Sequence, residues 1–113
     1  MHEFGIAEGV LKACLATAQQ HQAKKIEVVR LRIGALAGVV DEALTFAFDA
    51  LAEDTPAQGA RLLIEPVPVT CYCAACAKEF AAPRFSYRCP VCQTPSAEVR
   101  RGRELELISI EVS

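Results

Sequence analysis

The sequence predicts an α+β fold: two helices packed on a small three-stranded sheet, with a four-cysteine, zinc-ribbon-like module inserted. Three observations predict it. Two segments repeat apolar residues at spacings of three and four, three others read as strands, and two C-x2-C pairs fall between the second and third strand.

From Phe4 to about Gln22, the residues Ile6, Val10, Leu11, Cys14, Leu15 and Ala18 form one helical stripe. In "KKIEVVRLRIG", Val29, Leu31 and Ile33 alternate with Arg30 and Arg32 until Gly34 interrupts the run, so residues 26–33 read as a half-buried strand. The stretch "VVDEALTFAFDALAEDT" then places Val40, Leu44, Ala47, Phe48 and Leu51 at helical spacing. Asp41 and Glu42 fall in its first turn, where negative charge suits the helix dipole, and Pro56 stops it.

"ARLLIEPVPVT" is strand-like, but Pro66 and Pro68 lack an amide donor and push it to a sheet edge or past the paired region. "ELELISIEVS" supplies the third strand, with an alternation that changes phase at Leu107 and Ile108. The expected sheet therefore joins 26–33, 61–67 and 104–112. The expected domains are 1–69 with 104–113, and 70–103 as the insert.

With 113 residues, 52% hydrophobic and 23% charged, the chain suits a globular fold with a modest core rather than a disordered one. No apolar run approaches the roughly 18 residues of a membrane span, and the first residues lack a secretory pattern. The expectation is a soluble, cytoplasmic protein without a membrane partner. In that setting six cysteines point to metal or redox work rather than disulfides.

Cys73 and Cys76 in "CAAC", and Cys89 and Cys92 in "CPVC", are separated by twelve residues. Each short turn lets two sulfurs converge, and two such turns complete the tetrahedral thiolate set that Zn(II) prefers. A closed shell of four thiolates is structural, not catalytic. Phe80, Phe85 and Tyr87 are the main apolar content around it, so metal is expected to carry much of the folding. Cys14 lies on the first helical stripe and reads as a core residue, and His21 as a solvated helix-end residue; Cys71 admits three readings, a spare ligand, an oxidation-sensitive thiol or a small residue at a strand end, of which the last fits best.

The chain opens "MHEFG". An α-amine, the backbone nitrogens after it and an imidazole on residue two can close small chelate rings around one ion. A tetragonal nitrogen set of this kind suits Ni(II) or Cu(II). "MHE", the amphipathic helix after it, "LRIGALAGVVDEALTFAFD", the paired "CAAC" and "CPVC", and the closing apolar strand together resemble the HypA/HybF family of hydrogenase maturation proteins over essentially the whole chain.

The resemblance implies a nickel metallochaperone, not an enzyme, with a small α+β nickel domain and a zinc domain. It implies that the Met1 amine, His2, and the Glu3 backbone or carboxylate hold Ni(II) as transient cargo, with Zn(II) at the four cysteines. Asp41 is a weaker, accessory candidate, and a charge at the helix start accounts for it better. The implied partners are a HypB-like maturation GTPase and a hydrogenase large-subunit precursor. A homodimer formed by exchange of the inserted module between chains stays open.

Two other classes compete. Arg84, Arg88, Arg100, Arg101 and Arg103 beside Phe85 and Tyr87 would suit a nucleic-acid ribbon, but the formal net charge is −2 and no helix carries a basic run, so no nucleic-acid partner is expected. A thiol redox protein needs one C-x2-C opening a helix, whereas two evenly matched pairs fit a shared metal better.

Overall fold

The computed structural model describes residues 2–113, the side chain of Phe85 excepted. Its elements are α1 (Glu3–Gln20), β1 (Ile26–Gly34), α2 (Asp41–Ala52), β2 (Arg61–Val67), β3 (Thr70–Cys73), β4 (Lys78–Ala81), β5 (Glu98–Arg101) and β6 (Leu105–Val112). Short 3-10 turns occupy Ala35–Ala37 and Pro83–Phe85. The chain divides into two compact units, Met1–Arg32 with Val39–Glu65 and Glu106–Ser113, and Ile33–Gly38 with Pro66–Leu105.

In the first unit the helices bury the stripe that their periodicity demands. α1 buries Ala7, Leu11, Cys14 and Ala18, and α2 buries Leu44, Ala47, Phe48 and Ala52. The buried line on α1 runs through alanines, while Ile6, Val10 and Leu15 stay half-buried beside it. Small side chains let a helix approach its neighbour closely, so the line of closest contact need not follow the bulkiest residues.

Val40 departs from expectation. It is 59% exposed and stands before α2 as an extended N-cap, because Asp41 is the first residue with helical geometry. Ile26, Val29 and Leu31 of β1 are fully buried, like Phe48 and Leu44. Burying a side chain such as Phe48 stabilises by about 1.5–3 kcal/mol.

The three-stranded sheet has the order β2-β1-β6, made from the three expected segments. The apolar β1 takes the centre. β2 takes an edge, where the missing donor of Pro66 leaves no neighbour unsatisfied. Arg30 pairs with Glu111, and Arg32 with Glu65 (3.3 Å) and Glu106 (3.6 Å); the three carboxylates are exposed and the two arginines half-buried at the surface. At such exposure each pair contributes about 0–1 kcal/mol.

The second unit has its own antiparallel sheet, β4-β3-β5. Cys71 stands opposite Phe80 on β4 and Val99 on β5, with a register irregularity between Thr70 and Cys71. Together with Val69, Cys73, Ala82 and Cys89, Cys71 and Phe80 form a small core, with Leu36, Cys76, Tyr87 and Val99 at its margin. Tyr72, one residue along, stands opposite Glu79 and Glu98, as alternation requires. The Arg100 guanidinium lies 4.1 Å from the centre of the Tyr72 ring.

Candidate metal centres

The cysteine cluster is built by two tight turns. One follows β3: Cys73 ends the strand, Ala74 and Ala75 turn the chain, and Cys76 faces back. The other runs from Cys89 to Cys92 and is closed by Gln93 N–H donating to Cys89 O (2.9 Å) and Cys89 N–H to Thr94 O (3.0 Å). The residue after each second cysteine has positive φ, 53° at Ala77 and 64° at Gln93. Neither is glycine, so both turns hold left-handed backbone at a steric cost.

The four sulfurs lie within 4.8 Å of one another. Cys73 Sγ is 3.5 Å from Cys92 Sγ, and Cys89 Sγ is 3.9 Å from Cys76 Sγ. Four thiolates about 2.3 Å from a central zinc would be spaced by roughly 3.8 Å, so these separations fit one tetrahedral ion. Cys73 and Cys89 are buried, Cys76 is half-buried and Cys92 exposed.

Thr94 was not evident as a site residue from the cysteine spacing. Its Oγ1 lies 3.2 Å from Cys92 Sγ. Hydrogen bonds from the Thr94 hydroxyl and backbone N–H favour the thiolate and bring Cys92 down to about 6. Cys76 moves the other way, to about 12, because its thiol bonds to Cys92 and burial disfavours its charge. The only sequence signal for Thr94 is a hydroxyl two residues beyond the second knuckle.

Neither remaining cysteine belongs to the cluster found among the described residues. Cys14 and Cys71 are fully buried. Burial pushes the Cys14 thiol up to about 11 and raises that of Cys71, so both behave as small apolar core residues.

The other candidate centre lies at the start of α1. The assignment of Met1 lies outside the described residues. His2 is exposed and extended (φ −85°, ψ 108°), its carbonyl accepts from Ile6 N–H at 3.2 Å, and its side chain makes no capping bond. Glu3 is the first helical residue, and its Oε2 accepts from the backbone N–H of Val40 at 3.1 Å. That bond holds the Glu3 carboxyl below the usual carboxylate range.

Val40 immediately precedes Asp41, the exposed first residue of α2. The contact therefore brings the openings of the two helices together. It joins residues 37 positions apart, and no local pattern announces it.

The arginines that suggested nucleic acid are partly engaged. Arg100 and Arg101 both pair with Glu79, Arg100 also pairs with Glu98, and Arg88 donates to Gln93 O (3.1 Å).

The family model for "Hydrogenase/urease nickel incorporation, metallochaperone, hypA" matches residues 1–112. The chain belongs to the HypA family. A hydrogenase maturation factor HypA from Picosynechococcus sp. is 47% identical over 112 residues, covering 99% of each chain. A solution structure titled as the Ni metallochaperone HypA from Helicobacter pylori aligns with a TM-score of 0.68 at 27% identity, covering 99% of this chain and 97% of that one. A second HypA solution structure aligns with a TM-score of 0.75 at 27% identity, covering 100% and 97%. The HypA family is one of nickel-incorporation metallochaperones for hydrogenase maturation, and the four-cysteine cluster of this member fits a metal site.

Proposed function

We propose that this HypA-family chain carries Ni(II) at its amino terminus and delivers it during maturation of [NiFe]-hydrogenase, with a structural Zn(II) held by Cys73, Cys76, Cys89 and Cys92. In this reading residues 1–69 with 104–113 serve nickel, and 70–103 serve zinc. The protein is a cytoplasmic carrier and not a catalyst. Its partners are a HypB-like GTPase and a hydrogenase large-subunit precursor, and other nickel enzymes are further recipients. The observation that carries the reading is the bond from Val40 N–H to Glu3, which gathers Glu3 and the residue before Asp41 beside exposed His2.

The Met1 amine, backbone nitrogens and the His2 imidazole supply a nitrogen set of the kind Ni(II) accepts. The Glu3 carboxylate already accepts a backbone hydrogen bond, which favours its backbone nitrogen as the ligand. Asp41 is left as an accessory carboxylate at the same end. A shell with few protein ligands at an exposed position allows the ion to leave for a recipient, which a buried cage would hinder.

Nickel titration of the untagged protein beside His2→Ala tests this reading. Outer-shell substitutions at metal sites typically cost about 10–100-fold in affinity, so removal of a direct ligand should cost at least ~100-fold. Equal affinity would dismiss the terminal site. Nickel affinity should also fall as pH is lowered, because the amine and imidazole bind metal only when deprotonated.

The cysteine site has a different pH signature. With Cys92 lowered to about 6, its sulfur is mostly thiolate at pH 7 and regains its proton near pH 5. Zinc must displace that proton in acid, so zinc uptake should weaken as pH falls and release about one more proton per ion at pH 5 than at pH 7. Calorimetry in buffers of different ionisation enthalpy reads this difference. Thr94→Val, which removes the hydroxyl, should shrink it.

A further inference from the structure

Of the exposed large apolar residues described in the first unit, Leu63, Ile108 and Val112 lie on sheet strands, while Phe4, Val40 and Phe46 lie on or beside the two helices. Phe4 on α1 is 50% exposed and Phe46 on α2 is 68% exposed, yet their rings meet edge to face, with centroids 6.4 Å apart and planes at 80°. Val40, 59% exposed, is tied to the start of α1 through Glu3. Two aromatic rings presented to solvent on adjoining helices form the kind of centre that dominates protein interfaces.

The charged side chains one turn from each ring on the two helices are all acidic. On α2, Glu42 and Asp49 lie one turn on either side of Phe46 and share its face, and Glu8 lies one turn from Phe4 on α1; all three are exposed. α2 has no basic residue, and the sole one on α1 is Lys12, eight positions beyond Phe4. We infer that Phe4 and Phe46, rimmed by Glu8, Glu42 and Asp49, form a docking surface for a protein partner whose apolar face is bordered by lysine or arginine, as on a basic amphipathic helix.

The rim selects this occupant. A nucleic acid or an anionic lipid surface would meet like charge. A second copy of this face would set the same carboxylates against each other. A basic partner replaces repulsion with attraction and covers the rings. This inference rests on the nickel reading only for its consequence, which is that the partner docks beside the end of α1 that carries His2.

The test uses the full chain with a synthetic amphipathic helix of leucine and lysine, and a leucine–glutamate helix as control. Amide shifts should centre on residues 3–8 and 40–49 with the basic helix and be absent with the acidic one. Phe46→Gln should weaken binding at least tenfold, as should the charge reversal Glu42→Lys with Asp49→Lys, while the helical signal stays unchanged. Equal response to both helices, shifts centred elsewhere, or indifference to Phe46→Gln would overturn the proposal. A wild-type dimer dissociated by Phe46→Gln, or binding of phosphatidylglycerol vesicles at this face, would assign it to a second copy or to lipid and overturn it as well. Phe46→Gln should bind nickel as the wild type does. Peptide binding at this face by a wild type that takes up no nickel would sustain the surface and sink the nickel reading alone.

Discussion

Cys76→Ser is expected to abolish zinc retention and unfold the second unit while leaving the helices of the first intact. A serine hydroxyl cannot replace a thiolate in a soft tetrahedral shell. The loss is severe because the unit has little else. Phe80 is the largest side chain in its buried cluster, and two further members, Cys73 and Cys89, belong to the metal group themselves. Apparent zinc binding in small finger peptides is worth about 10–16 kcal/mol, which is also their folding free energy. In contrast, the first unit buries Phe48, Ile26, Leu31 and Leu44 with no help from the cluster.

The outcome is read as zinc content, amide dispersion for residues 66–105 and far-ultraviolet dichroism. Zinc and dispersion should be lost, and the helical signal of α1 and α2 should survive. Cys71→Ser is the informative neighbour. It places a hydroxyl in a fully buried position, at a cost of about 1–3 kcal/mol from mutational experience, but should keep its zinc. Zinc retained by Cys76→Ser would remove the cluster as the zinc site. Zinc lost equally in Cys71→Ser would mean that the small core, not the thiolate shell, decides retention.

Features set by neighbours in sequence were legible, and features set by distant approaches were not. C-x2-C is a local device, and both turns close as their spacing implies. Pro66 within β2, with Pro68 just beyond it, excluded a central position without any knowledge of its partner. The predicted stripe of α1 held Leu11, Cys14 and Ala18 of its buried line but missed Ala7, whose hydropathy signal is weak although its small size suits it to close packing. Val40 continued the apolar periodicity of α2 but fell just outside its first turn. The three-stranded sheet of the second unit was hidden because its strands have only four residues each, too few for alternation to stand out. At the nickel end, His2 and Glu3 were legible as chemistry, but the bond to Val40 arises only when two helices meet.

Gly34→Ala should be among the most damaging single-methyl additions in the chain, and Gly9→Ala a stabilising one. A Cβ at Gly34 would stand 2.1 Å from both the carbonyl carbon and oxygen of Gly102 and 2.6 Å from Arg103 N. All three are backbone atoms, so no side-chain rotation relieves the overlap. Separating the two chain segments would disturb the bonds that join them, Gly34 N–H to Glu104 O (2.8 Å) and Leu36 N–H to Gly102 O (2.7 Å). Gly102 holds φ +124°, and a Cβ added there would itself stand 3.1 Å from Val69 Cα, so neither residue of this crossing tolerates a side chain. Overpacking together with the lost backbone bonds should cost on the order of 3 kcal/mol or more. At Gly9, within α1 and exposed, an added Cβ meets nothing within 4 Å. There the methyl reduces the freedom of the unfolded chain and should stabilise by about 0.5–1 kcal/mol. Urea denaturation of the zinc-loaded protein should therefore move in opposite directions for the two variants. A Gly34→Ala midpoint equal to that of the wild type would show that the crossing of residues 34 and 102 is looser than its backbone separations require.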